Sequence, residues 1–463
     1  MDKKKAKKAL RKPKSKNVVE MPMVNPHAAG IDISDKEHVV AIPEGITSER
    51  VRKFGTMTCD LELIVSWLLE CCIKTVAMES TGVYWKPLFI MLISNGFEVY
   101  LVNSKHVKNV TGRKTDEDDA MWIQKLHSCS LLKSSYLPEE EQDALRTLTR
   151  YRRSLVDDCS RFINRIQKSL ELMNIKFHTI ISDITGKTGR GVLEAIIAGE
   201  RNAENFLPLI NSRIKADHET IKKSLQGNWR EEHLFTLKAS YEMYKIYQQH
   251  IAVTDTEIEK QLQRYEAKCN EGVIEEKSKK SKDKSAAVVK KKKDKNHPRF
   301  DVRGYLRRIN GVDVLAIPGL SETGGLEVLS EIGIDLSKWE TKNHFCSWLN
   351  QCPNNKISGG KIISSKIMKK KANPASQAFR HAANGVQKTD TWLGDYFRRM
   401  KTKGGHKYAV VATANKIATI YYVMITKKEE YKPVELEQYQ KKYTQAKIAY
   451  YERKLNELKQ RAA

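Results

Sequence analysis

Asp32, Glu79, Asp116 and Asp119 are the residues whose types and spacing could do chemistry. Asp32 sits in the short apolar run Ala28-Ala29-Gly30-Ile31-Asp32-Ile33-Ser34, and Glu79 ends a second run, Thr75-Val76-Ala77-Met78-Glu79. Asp116 and Asp119 stand three apart where a helical pattern opens, in Lys114-Thr115-Asp116-Glu117-Asp118-Asp119-Ala120, so they share one helix face. Two strand-borne acids with such a pair suit a phosphodiester site built around two Mg²⁺ ions. Hard cations want oxygen ligands, and a pair of them can activate an attacking oxygen and stabilise a leaving one. Each acid also has a plainer reading. Asp32 could end a strand, Glu79 could favour a helix start at Ser80, and Asp116 and Asp119 could be a solvated helix start capped by Thr115. Glu117 and Asp118 turn away from the shared face and are internal controls. The four acids are specific as a constellation; no member is.

These acids meet only if the flanking runs fold as strands and helices in a particular order. Gly30 to Ile33 and Glu37 to Ile42 read as paired strands, with Val51 to Phe54 as a third. A helix over Asp60 to Glu70 carries Leu61, Ile64, Val65 and Leu68 at helical spacing. The strand ending at Glu79, a helix over Trp85 to Ser94, a strand over Glu98 to Val102 and a helix from near Asp116 complete the pattern. Three early strands followed by alternating helices and strands match the RNase H-like fold, in which acids of the first and fourth strands meet acids on the last helix.

Composition narrows the partner. Lys and Arg outnumber Asp and Glu by 82 to 56, a formal charge of +26, which favours an anionic polymer. No apolar stretch approaches the roughly 18–20 residues that span a bilayer. The basic segment Lys3 to Lys16 is followed by no apolar region of a signal peptide, and Pro13 argues against a membrane-surface helix there. Eight cysteines include no Cys-x-x-Cys pair, so neither a zinc site nor a secreted disulfide framework is signalled and a reducing cytoplasm is expected.

From 139 to 276 the pattern is helical. Leu145, Leu148, Leu155, Phe162, Ile166, Leu170 and Met173 form a seam, and Arg150, Arg152, Arg153, Arg161 and Arg165 decorate the same helix. Those arginines are either a solvated face beside a core or contacts to a nucleic-acid backbone, with Arg152 and Arg153 the candidates for contact. Thr185 to Gly191 reads as a loop before a helix over Val192 to Ala198. Residues 277–297 hold ten lysines in low-complexity sequence, expected, like the tail over 1–24, to be a disordered basic segment. The expected final parts are a mostly helical domain over 301–440 and a C-terminal helix over 441–463. In the former, Ile317-Pro318-Gly319-Leu320 looks like the turn of a helix-hairpin-helix, with Ser321 where a second glycine is usual. Lys356-Ile357-Ser358-Gly359-Gly360-Lys361 offers a hydroxyl beside flexible glycines and two lysines that could neutralise a phosphate; taken alone, it is a loop.

The chain resembles the DEDD-type insertion-sequence transposases of the IS-one-ten family, the bridge-RNA-guided recombinases. The resemblance rests on Gly30-Ile31-Asp32, Met78-Glu79-Ser80-Thr81-Gly82, Lys114-Thr115-Asp116 with Asp119-Ala120, Ile317-Pro318-Gly319, Ile357-Ser358-Gly359-Gly360-Lys361 and the Ala-rich helical pattern of Lys407 to Ile420. It implies a RuvC-like domain over 25–135, a coiled-coil segment and a C-terminal transposase domain. It further implies Mg²⁺ held by Asp32, Glu79, Asp116 and Asp119, and a nucleophile at Ser358 that attaches covalently to DNA. A structured guide RNA, donor and target DNA, a dimer or tetramer whose two centres meet across subunits, and a nucleoid-associated bacterial or archaeal location are implied with it. A RuvC-like junction resolvase or other nuclease would use the same acids with water as nucleophile, and a non-catalytic nucleic-acid scaffold would tolerate loss of any acid.

Overall fold

The computed structural model describes residues 22–103, 116–270, 296–367 and 373–462. The tail over 1–21, Lys114, Thr115 and most of the lysine-rich segment lie outside the described residues. The chain divides between Leu137 and Pro138 into two compact units.

In the first unit, short runs of β-branched and small apolar residues form β1 (Ala28–Ile33), β2 (His38–Ala41), β3 (Val51–Phe54), β4 (Thr75–Glu79) and β5 (Glu98–Val102). They make one sheet in the order β3-β2-β1-β4-β5, antiparallel across the first three strands and parallel from β1 through β4 to β5. Helices α1 (Thr58–Glu70) and α2 (Trp85–Ser94) cover one face, packing Leu61, Ile64, Leu68, Leu88 and Leu92 against Ile31, Ile33, Val76 and Met78. Helix α3 (Asp116–Ser128) covers the other, where Ile123 meets Ala77 and Val102, and Ala120 meets Val39 and Ala41. The central strands are therefore buried on both faces, which is why they read as near-continuous apolar runs. The mixed α/β character expected for this region is present.

The second unit is mostly helical. Helix α4 (Glu140–Leu172) runs beside α8 (Glu231–Asn270), and Leu155, Ile166 and Leu170 share a core with Leu237, Tyr241 and Ile251. Three α-helices lie between them in sequence, α5 (Phe177–Ile180), α6 (Lys187–Ile197) and α7 (His218–Ser224), with a 3-10 helix over Ala203–Leu209. The loop expected over Thr185 to Gly191 is shorter than its glycines suggested, because α6 begins at Lys187. Gly189 is there for packing: a Cβ on it would lie 2.0 Å from the Ile184 carbonyl oxygen.

The remaining core is built from α9 (Val302–Asn310), α10 (Glu322–Ile332), α11 (Lys342–Trp348), α12 (Pro374–Val386) and α13 (Trp392–Lys427), with α14 (Leu436–Ala462) after them. A two-stranded hairpin, β6 (Asn354–Ser358) and β7 (Lys361–Lys366), stands where the sequence reading expected a loop. Gly319 has φ +88, and a Cβ on it would lie 2.3 Å from the Ala382 carbonyl oxygen, so the Ile317-Pro318-Gly319 turn lets α12 approach closely. Ser321 caps α10 by accepting from the Gly324 amide at 3.1 Å, a helix-start role that the glycine usual there would not fill. Helix α13 is long and apolar enough to cross a membrane by length and composition. Here it is a core element: Leu393, Phe397, Ile417, Tyr421 and Ile425 are buried, and a break at Gly405 (φ 80, ψ 177) interrupts its axis.

The contact between α3 and β1 has no slack. A Cβ on Gly30 would lie 2.2 Å from the Gln124 amide nitrogen and 2.6 Å from the Ala120 carbonyl oxygen, both helix backbone. Gly30→Ala is therefore expected to push α3 off the sheet and cost about 1–3 kcal/mol of stability, measured by chemical denaturation. An unchanged denaturation midpoint would show that the helix can move without cost.

Candidate functional site

Strand alternation puts Asp32 on the same face as Gly30, and Glu79 on the same face as Ala77, which is the face α3 covers. The parallel ladder pairs Ala29 with Val76, Gly30 with Ala77 and Ile31 with Met78. One step further along, at the end of the ladder, Asp32 falls beside Glu79. Helix α3 runs antiparallel to β1 across them. Its Gln124 side chain donates to the Ala28 carbonyl at 3.2 Å, and Ala120 and Gln124 lie over Gly30. Two residues of strand span roughly 6.6 Å and one helical turn roughly 5.4 Å, so Asp32 lies opposite the first turn of α3, the turn that carries Asp116 and Asp119.

Burial separates the acids from their neighbours. Glu79 is buried, with Thr81 donating to its Oε1 at 3.1 Å, and Asp32 and Asp119 are half-buried. Glu117 and Asp118 are exposed, and Glu117 pairs with Lys53 at 3.0 Å, both side chains about half exposed. The two controls thus lie on the surface as expected. The side chain of Asp116 lies outside the described residues. Among the described residues no three His, Cys, Asp or Glu side chains close on a common point as a metal site would. The donors that line this face are carboxylates, the chemistry that suits a hard divalent cation.

The far end of α3 is pinned. The backbone amides of Val24 and Asn25 donate to the Ser128 carbonyl at 2.7 and 2.8 Å. His127 lies 2.8 Å from the Thr75 hydroxyl and against the Tyr100 ring. Burial pushes the His127 pKa down to about 4, so the ring is neutral at physiological pH and serves as a structural link.

In the second unit Ser358 and Lys361 face each other across the hairpin, joined by Gly359 and Gly360, whose φ values of 56 and 73 meet the requirement of a two-residue turn. Alternation along β6 places Lys356 on the Ser358 face, while Ile357 pairs with Ile362 on the opposite one. All of these residues are exposed. The hairpin thus has a serine with two lysines on one side and isoleucines on the other.

The arginines of α4 divide differently from the expectation. Arg152 is buried, its Nε 2.5 Å from Asp255 and its Nη2 donating to the Asn296 carbonyl at 2.8 Å, so it holds α4 to α8 instead of meeting nucleic acid. Arg153 is half-buried, donating to Gln377 and lying 3.8 Å from Glu327, whose carboxyl burial pushes up. Arg150 grips the buried Glu331 with two bonds of 2.6 and 2.9 Å. Arg161 remains on the surface.

Two family models match the chain. A DEDD-type IS110 transposase model covers residues 29–175, the stretch holding all four acids, and a model described as transposase, IS116/IS110/IS902 family, covers residues 313–398, which include the hairpin. The chain is a transposase, an enzyme that cleaves and rejoins DNA strands. The two matched stretches together make up about half of the chain, and both matches are to transposase models. No curated protein matches it.

The interior position of Arg152 has a measurable consequence. Arg152→Ala leaves Asp255 uncompensated and is expected to cost about 3–5 kcal/mol, while Arg161→Ala on the surface stays within about 0.5 kcal/mol. Denaturation midpoints compare the two. Equal values would show that the buried pair carries no weight.

Proposed function

We propose that the first unit is an RNase H-like catalytic domain in which Asp32, Glu79, Asp116 and Asp119 hold divalent cations, Mg²⁺ in the cell, and that Ser358 is the nucleophile of strand exchange. The observation that carries this reading is the register of β1 and β4, which sets Asp32 beside Glu79 opposite the first turn of α3. Four anionic side chains on one face repel each other unless cations bind among them. When bound, such cations neutralise charge on the scissile phosphate and lower the cost of deprotonating an attacking oxygen.

The chain's own residues supply the rest. Glu79, buried and oriented by Thr81, gives the site a carboxylate of fixed direction. Ser358, exposed beside a two-residue glycine turn, presents its hydroxyl to a phosphate without steric hindrance. Lys356 and Lys361 on the same face neutralise the phosphate that approaches. Attack forms a Ser358 Oγ–phosphorus bond and breaks one phosphorus–oxygen bond of the strand, and the proton lost by the serine balances the one taken up by the strand's leaving oxygen, which ends as a free hydroxyl. The seryl–DNA diester conserves the energy of the bond it replaces, so rejoining needs no external energy source. Donor and target DNA are the substrates. A structured RNA that pairs with both supplies sequence choice, while the basic surface of the protein meets backbone and shape.

A second reading, a nuclease that uses water, shares the acids and dispenses with Ser358. The two separate cleanly. Asp32→Asn, Glu79→Gln, Asp116→Asn and Asp119→Asn should each abolish strand transfer with the fold retained, whereas Glu117→Gln should be mild. Ser358→Ala should bind DNA and RNA normally yet form no protein–DNA adduct on denaturing gels, while replacement of Ser364 or Ser365 leaves the adduct in place. Full activity of Ser358→Ala would hand the case to water, and substantial recombination by Asp116→Asn would remove the acid assignment.

A further inference from the structure

Among the described residues, helix α14 is anchored at its start. The Tyr439 ring packs on Trp392 at 5.3 Å, and the Arg399 guanidinium lies 4.8 Å above Tyr439 and 3.8 Å above Tyr443, tying the first two turns to α13. From Thr444 to Gln460 every residue is exposed. That is a helix roughly 25 Å long in water. It is not polar all round: Ile448, Tyr451, Leu455 and Leu458 are 53, 56, 53 and 55 % exposed. Their spacing of three, four and three places them on one stripe, the a and d positions of a heptad.

We infer that this stretch of α14 forms a parallel two-stranded coiled coil with the same stretch of a second copy of the chain. A narrow a/d stripe is the seam of helix against helix, whereas a globular core takes a broader face. Ile448 at a and Leu458 at d match the arrangement that favours two parallel strands, while Leu455 at a and Tyr451 at d leave the direction to charge. Charge sets the direction. Lys447 at a g position faces Glu452 of the other copy at an e position, reciprocally on both sides of a parallel pair. An antiparallel pair would instead set the basic g row, Lys447 and Lys454, against itself. Lys454 meets Lys459 in the parallel pair, so the seam and not net charge must hold the helices together.

The test uses the full chain. Leu455→Cys, at the seam, should give a disulfide-linked dimer on mild oxidation. Arg453→Cys, on the opposite side of the helix, should add nothing to the background of the eight native cysteines. Leu455→Asp with Leu458→Asp should raise the concentration at which copies associate through this helix by at least about tenfold, read by sedimentation. No cross-link at Leu455→Cys, or an equal one at Arg453→Cys, overturns the inference. So does a cross-link that forms only when Leu455→Cys is mixed with Tyr451→Cys, which marks an antiparallel pair. Loss of nucleic-acid binding in the Asp variants with association unchanged also overturns it, and assigns the helix to nucleic acid.

Discussion

The first unit depends on one close approach, the backbone of α3 lying on the backbone of β1 at Gly30. No side chain separates them at that point, and the Ala120 and Gln124 backbones occupy the space a Cβ would need. Because the helix is held this near, the turn that precedes Ala120 comes down over the end of β1, where Asp32 is. The pinned far end, with Ser128 receiving the Val24 and Asn25 amides and His127 held by Thr75, fixes how far the helix can slide along the strand. Position and register of the acids are thus set by packing some distance from them.

The second unit presents its candidate nucleophile in the opposite way. A two-stranded hairpin is marginally stable by itself, and this one leaves Ile357, Ile362 and Ile363 exposed at 63, 61 and 70 %. Among the described residues Ser358 is exposed, with no burial to change the basicity of its hydroxyl. In the proposed strand exchange, activation of that hydroxyl would come from what the serine face meets, a phosphate and the cations that accompany it. Keeping the hydroxyl in water until substrate is present is one way for a strand-exchanging enzyme to avoid idle cleavage.

The strands and helices of the first unit were legible because each is short, apolar and bounded by turn residues. β3, β4, β5 and α2 begin and end where the patterns do. The face of the acids was legible too, since alternation from Gly30 and Ala77 fixes it once the strands are known. The closeness of α3 was not, because a single glycine in an apolar run does not say what lies against it. The hairpin carried a signal, two glycines between Lys356-Ile357-Ser358 and Lys361-Ile362-Ile363, that is equally a loop signal when strands are not looked for in a helical region. Arg152 misled because it is charged. It stands seven residues after Leu145, on the seam itself, and its partner Asp255 is 103 residues away, where no local pattern points. Position on the seam was the better guide than residue type.

The claim that the four acids form one cation site is tested most directly by cation binding to the whole chain. Titration of Mn²⁺, followed by electron paramagnetic resonance, would compare the parent with Asp32→Asn, Glu79→Gln and the surface control Glu117→Gln. Asp32→Asn and Glu79→Gln should each weaken binding by at least about tenfold, with Glu117→Gln matching the parent. Equal binding in all four proteins would contradict the account, because two carboxylates set side by side under α3 would then hold no ion between them.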